Sequence, residues 1–166
     1  MIKSVGLLQQ NELFGSLTEM ELTKLAPLCS DFVAIEDSVV FTEGRMASHL
    51  YIIKEGKIAL QRAIRVPHGR SSRRTTVTLC YPGDIVGWSA LAEPYKYTLS
   101  AVAWESSRLI SIDSRMLRKA LDADIETGYK VMKALSEIMS RRLKHTTESL
   151  ISELERFLAG ARVYNE

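Results

Sequence analysis

Residues 50–58 read LYIIKEGKI, two apolar runs joined by a Glu-Gly pair. Runs rich in β-branched and aromatic residues predict strands, and the glycine permits the left-handed backbone of a tight turn. Glu43-Gly44 and Pro82-Gly83-Asp84 separate other runs in the same manner. The pattern predicts an antiparallel, barrel-like β core, with strands at Phe32–Ile35, Val39–Phe41, Leu50–Ile53, Ile58–Ala63, Thr75–Cys80, Ser100–Ala103 and Leu109–Ile112.

Helical signals lie on both sides of this core. Apolar residues recur at helical spacing over about residues 5–29, where Thr18 and Glu21 make a capping box and Pro27 is expected to end the helix. After the strands, Asp113 is placed to cap a short helix through Leu121. Asp124 is placed to cap a much longer one, ending near residue 158. The fold class predicted is mainly β with flanking α.

The last helix is longer than one small domain needs. Roughly 35 residues span about 50 Å, so part of its surface requires another partner. An apolar seam with spacings of four, three, four and three predicts a two-stranded coiled coil and hence a homodimer. The alternative is an amphipathic helix folded onto its own barrel. The seam residues are Leu143, Thr147, Leu150, Leu154 and Phe157.

The composition is that of a globular chain of 166 residues, 46% of them hydrophobic, with a net charge of +2. That charge is too small to indicate a nucleic-acid or membrane partner. Cys29 and Cys80 lie far apart, outside any disulfide framework or zinc-site spacing. We find no apolar run long enough to span a membrane and no signal sequence. We therefore expect a cytoplasmic protein.

Several of these fragments occur in the order and approximate spacing of one known family. They include Phe14 to Leu25, Phe41-x-Glu43-Gly44, Leu50-x-Ile52-x-x-Glu55-Gly56-x-Ile58, Gly83-Asp84-x-x-Gly87 and, on the long helix, Arg141-Arg142-Leu143-x-x-Thr146-Thr147-Glu148. Over about residues 10–158 the chain resembles the cyclic-nucleotide-binding domain family, and the helix resembles that of its catabolite-activator-type members. The resemblance implies a double-stranded β-helix, a jelly-roll-like β-roll. We divide the chain into this roll with its N-terminal helices at 1–123, a dimerisation helix at 124–158 and a tail at 159–166.

The family also implies a phosphate-binding cassette, in which a short helix presents backbone N–H groups, a Glu takes the ribose hydroxyl and an Arg neutralises the phosphate. Here Gly87 fits the cassette glycine, Trp88 stands in the Glu position, and Tyr97-Thr98 stand in the positions of the Arg and the hydroxyl residue after it. The cassette is also about one residue short. Tight cyclic AMP binding in the usual manner is therefore not expected, because an indole cannot accept the ribose hydrogen bond.

The substituted cassette positions leave two interpretations of the candidate ligand site. Trp88 and Tyr97 are either aromatic walls of a pocket for another ligand or core residues that fill the former nucleotide site. No cofactor is assigned, and a cyclic nucleotide or another small ligand remains possible. A true cyclic AMP or cyclic GMP binder is the alternative, and a partner protein is a further possibility. The candidate ligand residues are Gly87, Trp88, Ser89, Ala90, Leu91, Tyr97, Thr98, Thr146 and Thr147.

Other functional classes find less support. Residues 87–91 resemble a nucleophile elbow, but Leu91 replaces its final glycine and no α/β alternation surrounds it, so no enzyme is predicted. His49, His68 and His145 lack metal-ligand spacing and are expected at the surface. The basic segment 62–74, with Arg62, Arg65, Arg70, Arg73 and Arg74, is expected to be a solvated hairpin loop. DNA binding through it is a second alternative, which we do not expect from this chain alone, because no helix-turn-helix module follows the long helix.

Overall fold

The structure, a computed structural model, describes residues 2–65 and 72–162. It confirms the predicted class, a β-roll with helices before and after it. The helices are α1 Ile2–Gln9, α2 Glu19–Leu25, α3 Ser114–Ala123 and α4 Ile125–Arg162, with single 3-10 turns at Ala26–Leu28 and Trp88–Leu91. The strands are β1 Cys29–Ala34, β2 Val39–Phe41, β3 His49–Glu55, β4 Ile58–Arg65, β5 Ser72–Cys80, β6 Ile85–Val86, β7 Ser100–Ala103 and β8 Ser107–Asp113.

The strands form two antiparallel sheets, ordered β1-β8-β3-β6 and β2-β7-β4-β5. Both sheets contribute to one hydrophobic core. Four consecutive residues of β3, Leu50 to Ile53, are all buried. Since neighbouring residues of a strand point to opposite faces, β3 is covered on both sides. This accounts for the unbroken apolar run in the stretch that predicted the fold.

The predicted strands agree with the observed ones except at their ends and at β6. The hairpin strands β4 and β5 extend further than their apolar runs, pairing from Ile58↔Cys80 to Arg65↔Ser72. Strand β6 was not predicted. It is a two-residue strand that pairs with β3 through Tyr51↔Val86 and Ile52↔Ile85, which is too short for an apolar periodicity to be visible.

The N-terminal segment, where apolar spacing over residues 5–29 indicated helix, forms two helices separated by residues 10–18. The break occurs at Asn11, a buried residue whose side chain accepts a hydrogen bond from the Leu13 N–H and donates one to the Gly83 carbonyl. Asparagine competes with helical hydrogen bonding in this way. The predicted capping box at Thr18 and Glu21 is present, and α2 ends at Leu25 before the 3-10 turn that contains Pro27.

Helix α4 has two unlike halves. Its start is capped as predicted, with the Asp124 carboxylate accepting from the Thr127 N–H, and Asp113 caps α3 similarly. The first half belongs to the core through Val131, Leu135 and Ile138. Beyond Ile138 the described side chains are largely exposed, and the helix continues to Arg162, so it includes the first residues of the predicted tail.

A buried carboxylate joins α2 to α4. Glu21 accepts hydrogen bonds from Lys130 Nζ at 2.9 Å and from the Thr127 hydroxyl at 3.0 Å, while its other oxygen accepts from the Thr18 N–H at 2.7 Å. These bonds, led by that of Lys130, hold the pKa of Glu21 at about 2, below its ordinary value of 4.5. Lys24 and Asp124 add an exposed ion pair between the same helices.

Candidate functional site

The cassette segment, residues 87–99, begins with a glycine in the left-handed region, at φ 79°. A Cβ there would lie 3.0 Å from the His49 carbonyl oxygen and 3.1 Å from the Tyr97 ring, so both conformation and close packing favour glycine. The single 3-10 turn Trp88–Leu91 follows directly. This is the glycine that the sequence assigned to the cassette.

Tyr97 is a core residue. It is 4% exposed, and its ring stacks on that of Phe41 with the centroids 3.9 Å apart. Its hydroxyl donates to the His49 carbonyl at 2.8 Å and accepts from the His49 N–H at 3.1 Å. Burial raises the pKa of this phenol, so it stays neutral. Of the two interpretations left open for Tyr97, core filling is the one that matches its surroundings.

Trp88 lies at the boundary between core and solvent. It is partly buried and lines two cavities. One is a recess of about 40 Å³ within the cassette segment, where Gly87, Ser89, Tyr97 and Thr98 are its neighbours. A space of this size holds roughly one water molecule. The recess therefore has no room for a ribose phosphate in the arrangement described here.

The second cavity, which we call the α4–β5 cleft, has a volume of about 450 Å³ and lies between α4 and β5. Strand β5 pairs with β4 on one side only, so the cleft lies beside the outer strand of that sheet. Ligand pockets in proteins typically measure roughly 300–1,000 Å³. Its apolar walls include Leu60, Leu79, Leu99, Ile138 and Trp88.

Charged residues of α4 line the same cleft. Arg142 Nη2 donates to the Ile85 carbonyl at 2.6 Å and lies 3.9 Å from an Asp84 carboxylate oxygen. Arg141 pairs with Glu12, and both also line the cleft. The Cys80 thiol has its pKa raised to about 11 by burial, against an opposing effect of Arg142, so it contributes a neutral group. The cleft thus combines an apolar wall with guanidinium groups.

The predicted ligand residues do not all meet at the cleft. Trp88 and Thr146 line it, whereas Thr98 borders only the small recess. The Thr147 hydroxyl donates to the Leu143 carbonyl of its own helix, 2.9 Å away. The three remaining residues of the 3-10 turn are buried: Ser89, Ala90 and Leu91.

Sequence reasoning missed three cleft residues that lie within the long-helix motif. Arg141 and Arg142 begin the helix motif, and His145 lies between its defined positions. Helical spacing places residues 138, 141, 142, 145 and 146 on one face of α4. This spacing could have identified the three residues from the sequence. What the sequence did not reveal was that β5 lies opposite this face.

The basic segment 62–74 is only partly described. Arg62 and Arg74 are exposed, and Arg62 lies 3.6 Å from a Glu43 carboxylate oxygen. Arg70 and His68 lie outside the described residues, as do the side chains of Arg65 and Arg73. Of the other histidines, His49 is partly buried in β3 and His145 is exposed.

The described part of the chain contains neither a metal-ligand cluster nor a membrane-spanning helix. Among residues 2–65 and 72–162 there is no group of three or more His, Cys, Asp or Glu side chains placed to hold a metal ion. Within the same ranges no helix has the length and apolarity needed to cross a bilayer.

Known proteins share this sequence pattern and this architecture. The family model for the cyclic nucleotide-binding domain matches residues 34–124, more than half of the chain. A CRP-like cAMP-activated global transcriptional regulator of Mycobacterium tuberculosis is 32% identical over 111 residues, which are 67% of this chain and 46% of that protein. The chain thus spans a little under half the length of this curated relative.

Solved structures give the same result for the fold. The crystal structure of a putative cyclic nucleotide-binding protein from Geobacter metallireducens has a TM-score of 0.72 at 28% identity, covering 84% of this chain and 98% of that one. The catabolite activator protein of Thermus thermophilus has a TM-score of 0.64 at 24% identity, covering 84% of this chain and 62% of that one. The second likeness, at lower identity, concerns the fold alone.

Proposed function

Because the chain belongs to the cyclic nucleotide-binding domain family, we propose that it is a ligand-sensing regulatory module and not an enzyme, and that it does not hold cyclic AMP in the family's usual manner. The regulatory part of this proposal is supported by its relative, whose name is that of a transcriptional regulator. The ligand part is supported by the cassette segment.

The proposal rests on the small size and the uncharged lining of the recess in that segment. Its recess of about 40 Å³ is bordered by Tyr97 and Trp88, which stand where the family pattern implies the Arg and the Glu. Tyr97 offers no positive charge, and both hydrogen-bonding directions of its hydroxyl are taken by His49. The only basic residue between Gly87 and Leu99 is Lys96, which is exposed and borders neither this recess nor the cleft. A cyclic phosphate placed here would lack its charge-assisted partner.

The proposed ligand site is instead the α4–β5 cleft, with Trp88 and Thr146 as the predicted residues that reach it. The rest of the cassette segment, including Gly87 and Ser89, sets the position of Trp88 at the cleft wall. Ligand occupancy would then be felt by α4, which forms the opposite wall.

We further propose that the second half of α4 forms a homodimer, since Leu143 and Phe157 of the predicted seam are 70% and 73% exposed in the single chain. Burying such a stripe against a second copy removes apolar surface from water. The proposal places the protein in the cytoplasm, consistent with its free cysteines.

Titration calorimetry with cyclic AMP and cyclic GMP tests the ligand part of the proposal. We expect no saturable heat at nucleotide concentrations that saturate the regulator of Mycobacterium tuberculosis, which is cAMP-activated by name and serves as the positive control. Saturable binding with a micromolar or tighter dissociation constant would overturn the proposal and establish a true cyclic-nucleotide binder.

A further inference from the structure

We propose that the α4–β5 cleft binds an apolar organic anion, with the apolar body against Trp88 and a carboxylate or sulfonate group on Arg142. The inference rests on the proposed function, because it takes the same cleft as the ligand site. It adds the chemical class of the ligand and the residue that recognises its charge.

Among the described residues, no Lys or Arg side chain lines the recess of the cassette segment. Arg118 donates to the Ala90 carbonyl, and its guanidinium carbon lies 4.2 Å from the centroid of the Tyr95 ring. It lines a separate groove between α3 and the start of α4. An anionic group therefore finds its donors at the α4 end of the cleft and not at the cassette end.

Arg142 is the best placed of those donors. Its side chain is 27% exposed, so it is partly shielded from water and its charge is less screened than that of a surface residue. Both contacts that the structure describes for it, to the Ile85 carbonyl and to Asp84, use Nη2. A guanidinium carries five N–H donors, and a separation of 3.9 Å from Asp84 is looser than a bidentate pair. Arg142 thus retains capacity to bind a further anion.

The walls nearest Trp88 favour an apolar body. The side chains of Leu60, Leu79 and Ile138 offer no hydrogen bonds and the indole of Trp88 is a donor only, although the cleft also has polar side chains at Thr78, His145 and Thr146. Polar atoms of a purine or ribose that lie against Leu60, Leu79 and Ile138 would stay unpaired, at a cost for each. An aromatic or aliphatic body incurs no such cost and gains from leaving water.

The test uses the full chain with Trp104→Phe, since Trp88 and Trp104 are its two tryptophans and Trp104 does not line the cleft. The probes are anilinonaphthalene sulfonate and N-phenylnaphthylamine, which share the apolar body and differ in the sulfonate. Energy transfer from Trp88 reports binding near that residue, and its loss in Trp88→Phe verifies the assignment.

We expect Arg142→Gln to weaken the sulfonate probe roughly tenfold, equivalent to about 1.4 kcal/mol, and to leave the neutral probe within about twofold. The matched control is Arg115→Gln, an exposed arginine of α3 away from the cleft, which should change neither affinity. Equal weakening of both probes, or no change in either, would overturn the inference.

Two further measurements address an unfolded Arg142→Gln variant and a failure of the proposed function. If circular dichroism shows Arg142→Gln to be unfolded, Arg142→Lys replaces it. That variant keeps the charge without the planar fork, so we expect a smaller selective loss for the sulfonate probe, and no selective loss counts against the inference. Displacement of the sulfonate probe by micromolar cyclic AMP would instead overturn the proposed function, which distinguishes the two failures.

Discussion

Two aromatic side chains determine what the cassette segment can hold. Tyr97 stacks on Phe41, and its hydroxyl forms hydrogen bonds with both the N–H and the carbonyl of His49. Tyr97 is therefore a structural residue. Trp88, nine positions earlier, remains partly exposed between two cavities. The polar atoms of buried aromatic residues need partners, and Tyr97 obtains both of its partners from one strand.

The double substitution Trp88→Glu with Tyr97→Arg tests the placement of these residues. It installs a ribose acceptor and a phosphate donor, and each charge-assisted bond contributes about 1.5–3 kcal/mol. Because the segment is short and Tyr97 is buried, the new Arg is imperfectly placed and we expect a modest gain. Calorimetry should show cyclic AMP affinity raised roughly tenfold, about 1.4 kcal/mol.

The two single variants are the controls for that experiment, and circular dichroism must show an intact fold. Tyr97→Arg alone should lower the free energy of unfolding, since it removes the stack on Phe41 and buries a charge. A folded double variant with no more cyclic AMP affinity than the parent would count against our placement of both residues.

The sequence could identify these two positions but not their separate surroundings. The motif spacing located Gly87, and its left-handed conformation agrees with that. The hydroxyl partner of Tyr97 is a backbone 48 positions away, a contact that no local pattern encodes. Arg142 was missed for the same reason, since its partners Asp84 and Ile85 are distant in sequence.

Among the elements, α2 and α4 are joined by Glu21, which is 8% exposed. The folded-state pKa of Glu21, about 2, lies below its ordinary 4.5. A depressed carboxyl pKa contributes stability that is present above the unfolded value and is lost as pH falls through the folded one. We therefore expect the contribution of Glu21 to be complete above pH 4.5 and to decline between about pH 4.5 and 2.

Glu21→Gln should remove that contribution. In urea titrations at pH 7 we expect a loss of about 1–3 kcal/mol in the free energy of unfolding, because Lys130 and Thr127 lose a charged acceptor. The variant should also show a flatter decline below pH 4.5 than the parent. The matched control is Glu19→Gln, an exposed acid in the first turn of the same helix. Equal acid sensitivity of parent and Glu21→Gln would contradict this account.

The seam of α4 makes a separate prediction. Leu150 and Leu154 are about half exposed, at 56% and 52%, and stand at its middle. Replacing both with Asp places unpaired charges in the proposed interface, at a cost of several kcal/mol. Light scattering should show the mass of a dimer for the parent and of a monomer for the variant.

The control for the seam keeps the added charge but moves it off the interface. Ser149→Asp with Ser152→Asp changes two exposed residues of the same turns that do not belong to the seam. It should remain a dimer. If Leu150→Asp with Leu154→Asp also remains a dimer, the assigned seam is wrong.

At this scale the sequence predicted most of what it could encode locally. Caps at Thr18, Asp113 and Asp124 were correct because a cap is a contact between near neighbours. Strand β6 and the break at Asn11 were not foreseen, since both depend on partners from elsewhere in the fold. The seam rests on coiled-coil spacing, which is also local, and it stays a prediction.

At the scale of the whole molecule, the two proposals give α4 both a ligand contact and a dimer contact on adjacent turns. Arg142 and Thr146 line the cleft, while Leu143 and Thr147 belong to the proposed seam. Over residues 142–147, therefore, a change in the position of the helix would affect ligand and partner together. Energetic coupling between two sites is reciprocal, so a ligand that binds the dimer better must also strengthen the dimer, by the same factor for each of the two ligands bound.

Coupling between the cleft and the seam would make ligand affinity depend on dimerisation. A second copy packed on the seam would hold the turns that carry Arg142, so the ligand would not have to order them on binding. In the Trp104→Phe background, we expect the monomeric Leu150→Asp, Leu154→Asp variant to bind anilinonaphthalene sulfonate about fivefold more weakly than the dimeric Ser149→Asp, Ser152→Asp control, the lower end of typical coupling factors. Energy transfer from Trp88 measures both affinities, and saturating probe should raise the dimer association constant of the parent about 25-fold, the square of that factor, because each dimer holds two clefts. Equal affinities in a verified monomer and a verified dimer would show that the cleft and the seam act independently, and regulation by this module would then require a route other than α4.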